Sequence, residues 1–295
     1  MRDDVAVVFV NYRCREMIEP RAARLLAKGV PVLVADNSGE FHAPHVPSVP
    51  TGGNVGFGAA CNSAVAALPS TVRTVCLHNP DVDIEPEAIV SLAELVTPGT
   101  GALAPAISTG RFIRERGFHY PSPAREAYLS RRSVRRGPRN NALGSEGMAR
   151  RVRGHGRRFG TAALLLVARD AFAAIGGFDE RYFLYAEDLD LWHRLGAAGY
   201  SNAFAPDVVA AHAGAAGSEM DGGTRELLRW LGVELFAETH LACGWRVFRT
   251  VHRPLLRRVA ALPSLVSIVR RAWGDGAPPS VVARAARGTL LERAY

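Results

Sequence analysis

The feature that most constrains this chain is an unbroken apolar, β-branched run, Val5 to Val10, that stops at a polar residue, Asn11. A strand without polar alternation has both faces buried, which is the situation of parallel sheets covered by helices on each side. The pattern then repeats. A helical stretch from about Glu16 to Lys28 closes at Gly29, and a second buried run, Val32 to Ala35, ends in the turn cluster Asp36-Asn37-Ser38-Gly39. From Glu40 to Gly53, prolines and glycines predict no regular structure. Asn54-Val55-Gly56-Phe57-Gly58 opens a small-residue helix running to about Leu68. Thr74 to His78 reads as a third strand, followed by Asn79-Pro80-Asp81-Val82-Asp83, and Pro86 starts a helix to about Val96. Strand and helix alternating in this way predict an α/β fold, a mostly parallel sheet with flanking helices.

The middle of the chain changes character. Ser108 to Phe159 is rich in Arg, Gly, Pro and Ser without a sustained period, and reads as a long excursion. Order returns with an apolar strand at Thr161 to Ala168, a helix to Ile175, the turn Gly176-Gly177-Phe178-Asp179-Glu180 and a helix from Glu187 to Ala198 that stops at Gly199. Short strands near Ala203 and Val208 lead to His212; Gly214 to Gly223 is a break, and the chain is mostly helical from Thr224. The 295 residues therefore divide into a main domain, 1–218, carrying the excursion at about 108–159, and a C-terminal helical extension, 219–295.

Charge and cysteine usage narrow the partners. The formal net charge is +8, and ten arginines lie between Arg131 and Arg158 against one acid, Glu146. A local basic tract on a neutral body fits phosphate-bearing substrates or lipid headgroups. A nucleic-acid-binding protein is the rival reading, but the tract lacks interleaved aromatics and any binding module, so no nucleic acid is expected. Trp245 to Trp273 alternates apolar clusters with arginines; such a surface either lies on an anionic membrane or packs on the main domain with its arginines solvated. No run of 18 apolar residues predicts a spanning helix, and the start runs straight into a strand without a secretory signal. Cys14, Cys61, Cys76 and Cys243 show no paired spacing, so a cytoplasmic, reducing location is expected.

In open parallel sheets, ligands bind beyond the carboxyl ends of the strands. Asp36, Asn79 and Asp81 sit at such ends. Asp36 is placed either to accept hydrogen bonds from a nucleobase or ribose, or to hold an Asx-turn over Asn37 to Gly39. The glycines at 56 and 58 either let a nucleotide approach a helix N-terminus or serve tight packing. Asp81 with the Asn79 amide oxygen can bind Mg²⁺ or Mn²⁺ beside a diphosphate, since hard cations prefer oxygen. Asp83 is either a second ligand or a helix cap. Glu187 and Asp188 open a helix, where acids complement the dipole or, facing a cleft, furnish a general base. Tyr182 to Tyr185 offers a platform for a sugar ring or simply core packing. His212 ends a strand and is a candidate ligand.

In order and spacing, Val8-Phe9-Val10-Asn11-Tyr12, Ala35-Asp36-Asn37-Ser38, Asn54-Val55-Gly56-Phe57-Gly58 with Asn62, Leu77-His78-Asn79-Pro80-Asp81-Val82, Gly176-Gly177-Phe178-Asp179-Glu180, Tyr185-Ala186-Glu187-Asp188-Leu189-Asp190-Leu191 and His212 resemble the family-2 glycosyltransferases of GT-A fold, in particular the rhamnosyltransferase-like branch. The resemblance covers residues 5–218 apart from the basic excursion. It implies an inverting, metal-assisted transferase that moves a sugar from a nucleotide-diphosphate donor to a hydroxyl of a glycan, lipid-linked or small-molecule acceptor. Under it, Asp36 contacts the base, while Asn11, Asn54, Gly56, Asn62 and Asn79 line the donor. Asp81 and His212 hold Mg²⁺ or Mn²⁺, Asp188 is the base, and Glu187 orients the site or binds the acceptor. Asn79 stands where many relatives carry the first acid of a D-x-D motif, an asparagine that rhamnosyltransferase-like members share. A scaffold of this kind that has lost catalysis is the remaining alternative, against which Asp81, Asp188 and His212 all count. Membrane contact would place the enzyme peripherally on the inner face of the cell membrane.

Overall fold

The structure is a computed structural model and describes residues 3–110, 112–114, 117–120, 158–213 and 222–241. The chain forms two compact units, one of Met1–Phe118, Arg158–Glu180 and Glu187–Ser218, the other of His119–Arg157, Arg181–Ala186 and Glu219–Tyr295.

The first unit is built on a mixed sheet. Its strands are β1 (Val5–Asn11), β2 (Val32–Asp36), β3 (Ser48–Pro50), β4 (Thr74–His78), β5 (Val82–Asp83), β6 (Thr100–Ser108), β7 (Ile113–Arg114), β10 (Leu164–Ala168) and β11 (Ser201–His212). They lie in the order β3-β2-β1-β4-β10-β6-β11-β5, with β7 paired to β6. β3, β2, β1 and β4 run parallel; β10 is antiparallel to both β4 and β6, and β11 is parallel to β6. Every longer strand except β10 therefore points the same way, and Asn11, Asp36, His78, Ser108 and His212 all finish on one edge. Across that edge β10 enters in the opposite sense. The helices α1 (Arg15–Ala27), α2 (Phe57–Ala67), α3 (Pro86–Glu94), α4 (Arg169–Ala174) and α5 (Glu187–Ala197) connect and cover these strands.

The all-apolar runs behave as their composition requires. Every residue of β1, β2, β4 and β10 is buried, with Phe9, Leu77, Leu164 and Leu166 among the largest side chains inside. Each such Val, Leu or Phe contributes about 1.5–3 kcal/mol relative to exposure. Local chemistry ends the helices. Gly29 takes φ 72° just past α1, and the Arg169 guanidinium donates to Leu68, Val65, Val72 and Pro69 carbonyls, tying off the carboxyl end of α2.

Three sequence expectations change. The coil from Glu40 to Gly53 contains β3, a three-residue edge strand in which Pro50 is tolerated because an edge leaves one side of the backbone unpaired. Thr100–Ser108, given no element between the helix ending near Val96 and the excursion from Ser108, is β6, a nine-residue strand inside the sheet, whose local signal Gly101 and Pro105 weaken. The two short strands near Ala203 and Val208 are one twelve-residue strand whose register slips between Ala205 and Val209, around Pro206. At the base of the excursion, β8 (Phe118–His119) pairs with β9 (Arg158–Phe159), the Phe118 and Phe159 rings 5.8 Å apart. The rest of the Arg131–Arg158 tract and the Trp245–Trp273 segment lie outside the described residues.

The second unit contains α6 (Gly222–His240), which begins close to the predicted start of the helical extension. Phe236 on α6 is buried and meets Tyr120 at 6.1 Å, and the Arg229 guanidinium sits 4.7 Å over the Tyr185 ring.

Candidate active site

At the end of β1, the buried Asn11 side chain is fully committed to the protein. Its Nδ2 donates to Asp36 Oδ1 (2.8 Å) and Ser38 Oγ (2.9 Å), and its Oδ1 accepts from the Cys14 backbone N–H (3.1 Å) and lies 3.6 Å from Cys14 Sγ. An amide has two donor hydrogens and two acceptor lone pairs, so nothing remains for a ligand. In this structure the Asn11 side chain clamps β1 to β2.

Asp36 is the centre of the same clamp. It accepts from Asn11, from the Ser38 N–H (3.0 Å) and hydroxyl (2.8 Å), and from the Phe41 N–H (2.9 Å), and is 6% exposed. Of the two readings of this residue, the Asx-turn is the one the structure contains. Those donors hold its carboxyl below the usual carboxylate range despite opposing burial. Asn37, which sequence reasoning left without a role, links this turn to the next loop: its Nδ2 donates to Gly56 O at 3.0 Å and its Oδ1 accepts from Thr51 Oγ1 at 2.7 Å. The signal for it was present, an asparagine at a strand end with a glycine loop to follow.

Asn54 and Gly56 lead into α2. Asn54 Oδ1 lies 3.4 Å from the Gly56 N–H it accepts from, and Gly56, at φ 94°, is the residue before the helix, a conformation that favours glycine. Gly58 has a different reason to be glycine. A Cβ there would lie 2.9 Å from Phe178 Cβ, so it serves packing. Asn62, expected on the donor, also turns inward: its Nδ2 donates to the Phe178 carbonyl and to Glu180 Oε1 (3.0 Å each), and its Oδ1 accepts from the Phe178 N–H (2.9 Å). It pins the Gly176–Glu180 segment.

The end of β4 holds the most exposed chemistry. The Asn79 N–H donates to Ala163 O at 2.9 Å, while its side chain makes no hydrogen bond among the described residues. Two residues on, Asp81 Oδ2 is 3.1 Å from His212 Nε2, with side-chain exposures of 14% and 22%. Strand pairing brings these distant residues together: His212 is opposite Val82, and the Ala213 N–H donates to Asp81 O at 3.0 Å. Asp83 points elsewhere, into a surface ion pair with Arg24 at 3.1 Å, and is no partner of this pair. No group of three or more His, Cys, Asp or Glu among the described residues can hold a metal ion. Two donors nonetheless suffice for a hard cation that completes its shell on substrate phosphate oxygens and water.

At the same edge of the sheet, α5 starts with adjacent acids. Asp188 is half-buried; its Oδ2 accepts from the Ala162 N–H (3.2 Å), just before β10, and its Oδ1 from the Leu189 N–H (2.8 Å). Asn79, two residues before Asp81, and Asp188 are thus hydrogen-bonded to the adjacent residues Ala163 and Ala162, just before β10. Glu187 is 5% exposed and its Oε2 has no hydrogen-bond partner among the described residues. Burial, with the neighbouring Asp188 charge, pushes its carboxyl up to about 8. Burial raises Asp188 as well, but the Ala162 and Leu189 N–H groups and the Thr161 hydroxyl oppose the rise. Asp188 is thus the member of the pair whose carboxylate is met by hydrogen-bond donors. Asp190 faces the interior, fully buried against Arg194 at 2.6 Å. Tyr182 and Phe183 are buried at 2% and 6%, which makes that part of the aromatic run core and no sugar platform. The chain reaches Glu187 through Tyr185 and Ala186 at φ 71° and 67°, left-handed conformations that cost about 1–3 kcal/mol each and concentrate at functional sites.

A mostly parallel α/β sheet whose candidate site residues gather at its carboxyl edge has the GT-A fold. No family model matches the chain. It is 34% identical over 242 residues, 72% of this chain and 76% of the relative, to the N-acetylglucosaminyl-diphospho-decaprenol L-rhamnosyltransferase of Mycobacterium tuberculosis, in both strain CDC 1551 / Oshkosh and strain ATCC 25618 / H37Rv. Among solved structures it is similar in fold to the mannosyltransferase PcManGT from Pyrobaculum calidifontis, solved with GDP-Man and Mn²⁺, at TM-score 0.56 and 14% identity, covering 98% of this chain and 88% of that one. The chain belongs to the rhamnosyltransferase-like branch of the family-2 glycosyltransferases and is a glycosyltransferase enzyme.

Proposed function

We propose that this enzyme transfers a deoxyhexose of the rhamnose type from a nucleotide-diphosphate sugar to a hydroxyl of a lipid-diphosphate-linked glycan, with inversion. The observation that carries the proposal is the placement of Asp188 on the Ala162–Ala163 junction while Asp81 and His212 meet at the next strand ends. The Asp81 carboxylate suits Mg²⁺ or Mn²⁺ beside a diphosphate, with the His212 imidazole as a second, nitrogen donor. When bound, such a cation neutralises the charge that develops on the departing diphosphate. Asp188 accepts the proton of the acceptor hydroxyl as the new glycosidic bond forms. The Asn79 amide, unengaged within the described protein, is available to the donor, as are the backbone groups around Asn54 and Gly56. Asn11, Asp36 and Asn37 act behind them by fixing the shape of the two loops. Glu187, buried beside it, has its carboxyl pushed up by that burial, which disfavours a second negative charge next to the base.

The relatives' activity on a decaprenol-linked acceptor supports a lipid-borne acceptor here, and with it a peripheral position on the inner face of the cell membrane. No helix among the described residues is long and apolar enough to cross a membrane. A thermal-shift panel tests the donor class. Nucleotide-diphosphate sugars should raise the melting midpoint when Mg²⁺ or Mn²⁺ is present, most of all one carrying rhamnose. If no member of the panel moves the midpoint, the reading is wrong.

A further inference from the structure

Ser108 and Ile113 face each other across a tight hairpin, β6 into β7, closed by the Thr109 N–H donating to Phe112 O at 3.0 Å, with Gly110 at φ 78° in the turn. Its returning arm starts with Phe112 and Ile113, which are 48% and 60% exposed. Large apolar side chains this open on a rigid turn are uncommon on a soluble surface unless they meet something. A third lies beside them. Ile113 is in register with Ser108, Ser108 with Ala211, and Ala106 with Val209, so Ile113 and the 46%-exposed Val209 share one face of the sheet. In sequence, Arg111, Arg114 and Arg116 flank the pair against one acid, Glu115. Two strand spacings, about 10 Å, separate β7 from β11, whose last residue is His212 of the acid–imidazole pair.

We infer that this hairpin is the membrane-docking element of the enzyme, its apolar residues entering the headgroup layer of an anionic bilayer. Aromatic and aliphatic side chains interleaved with arginines match such a surface in both hydrophobicity and charge. The placement supplies the geometry a lipid-borne diphosphate needs: the carbohydrate end reaches the site while the lipid stays in the bilayer a strand or two away. This rests on the proposed function for the identity of the acceptor, but the surface itself is testable without any substrate.

The intact chain should float with vesicles of phosphatidylglycerol and phosphatidylethanolamine, and the double variant Phe112→Ser, Ile113→Ser should lose roughly tenfold or more of that binding. Leu95→Ser is the control, since Leu95 is equally open at 56% but lies before the opposite end of β6. It should bind as the unmodified chain does. In case the double variant folds poorly, Phe112→Trp gives a second reading: vesicles with brominated acyl chains should quench its emission beyond that of the unmodified chain, whose four tryptophans set the baseline, and Leu95→Trp should add no such quenching. Equal flotation of the double variant, or equal binding to phosphatidylcholine alone, overturns the inference. So does a solution mass of two chains that the double variant abolishes, which would give the patch to a second copy. Nucleotide-sugar thermal shifts on the same samples keep the two ideas apart. Normal shifts with hairpin-independent flotation sink only the docking element, whereas hairpin-dependent flotation without any shift sinks only the donor assignment.

Discussion

Asp188 and Glu187 are neighbours in sequence with different surroundings, and the difference lies in hydrogen bonds. Asp188 has donors from Ala162 and Leu189, whereas Glu187 Oε2 is buried with none among the described residues. Asp188→Asn should leave nucleotide-sugar affinity nearly intact and lower turnover about 10²–10⁴-fold, the usual loss for a positioned base. Steady-state rates with purified acceptor check this, and a near-normal rate would remove Asp188 from the role. His78 offers a test of the fold at the same scale. It is buried under Phe9 with ring centroids 4.6 Å apart, and burial pushes its imidazole down to about 4. A histidine with a depressed folded value stabilises the protein above the unfolded value near 6.5 and loses that contribution as pH falls toward 4. The stability of the natural chain relative to His78→Gln should therefore fall by about 3 kcal/mol between pH 7.5 and pH 4, read from urea unfolding at each pH. Comparing the two chains cancels the opposite trend expected from Glu187, whose raised value destabilises as pH climbs through about 8.

Elements carry the residues to their partners. Pairing of β5 with β11 closes the Asp81–His212 contact across 131 positions of sequence. If that pair holds the cation, chelation should stop transfer and Mg²⁺ or Mn²⁺ should restore it. Asp81→Asn should weaken donor binding with metal present and matter little without it, as measured by calorimetry under both conditions. Undiminished turnover in excess chelator would show that the pair has another purpose. Asn62 joins α2 to the Gly176–Glu180 segment through both polar groups of Phe178. Removing it takes the partner from a part-buried N–H and carbonyl, so Asn62→Ala should cost about 1 kcal/mol of stability. Because that side chain points into the protein, donor affinity of the folded variant should barely change. A selective loss of donor affinity with unchanged unfolding would return Asn62 to the donor site.

At the scale of the whole molecule the prediction is stereochemical. One carboxylate and one acid–imidazole pair stand at separate points of the same sheet edge. With Asp188 as the proposed base, the acceptor hydroxyl displaces the diphosphate in a single step, so the product should carry the anomeric configuration opposite to that of the donor, seen in the anomeric NMR couplings. Retention would contradict the arrangement. Much of this was legible in the chain. The apolar runs at Val5–Val10, Val32–Ala35 and Thr74–His78 determined a parallel sheet buried on both faces, because a strand without polar alternation has nowhere else to go. The order of short motifs marked the family and its acids. What the sequence left open was the direction in which each polar side chain turns. Asn11, Asp36 and Asn62 sit in motifs that suggest ligand contact, yet their donors and acceptors are satisfied by residues 2 to 118 positions away. Only tertiary packing decides that, since a hydrogen bond depends on which strands and loops meet in space. The same holds for β6, where Gly101 and Pro105 weaken the local strand signal and the neighbours β10 and β11 impose the extended form.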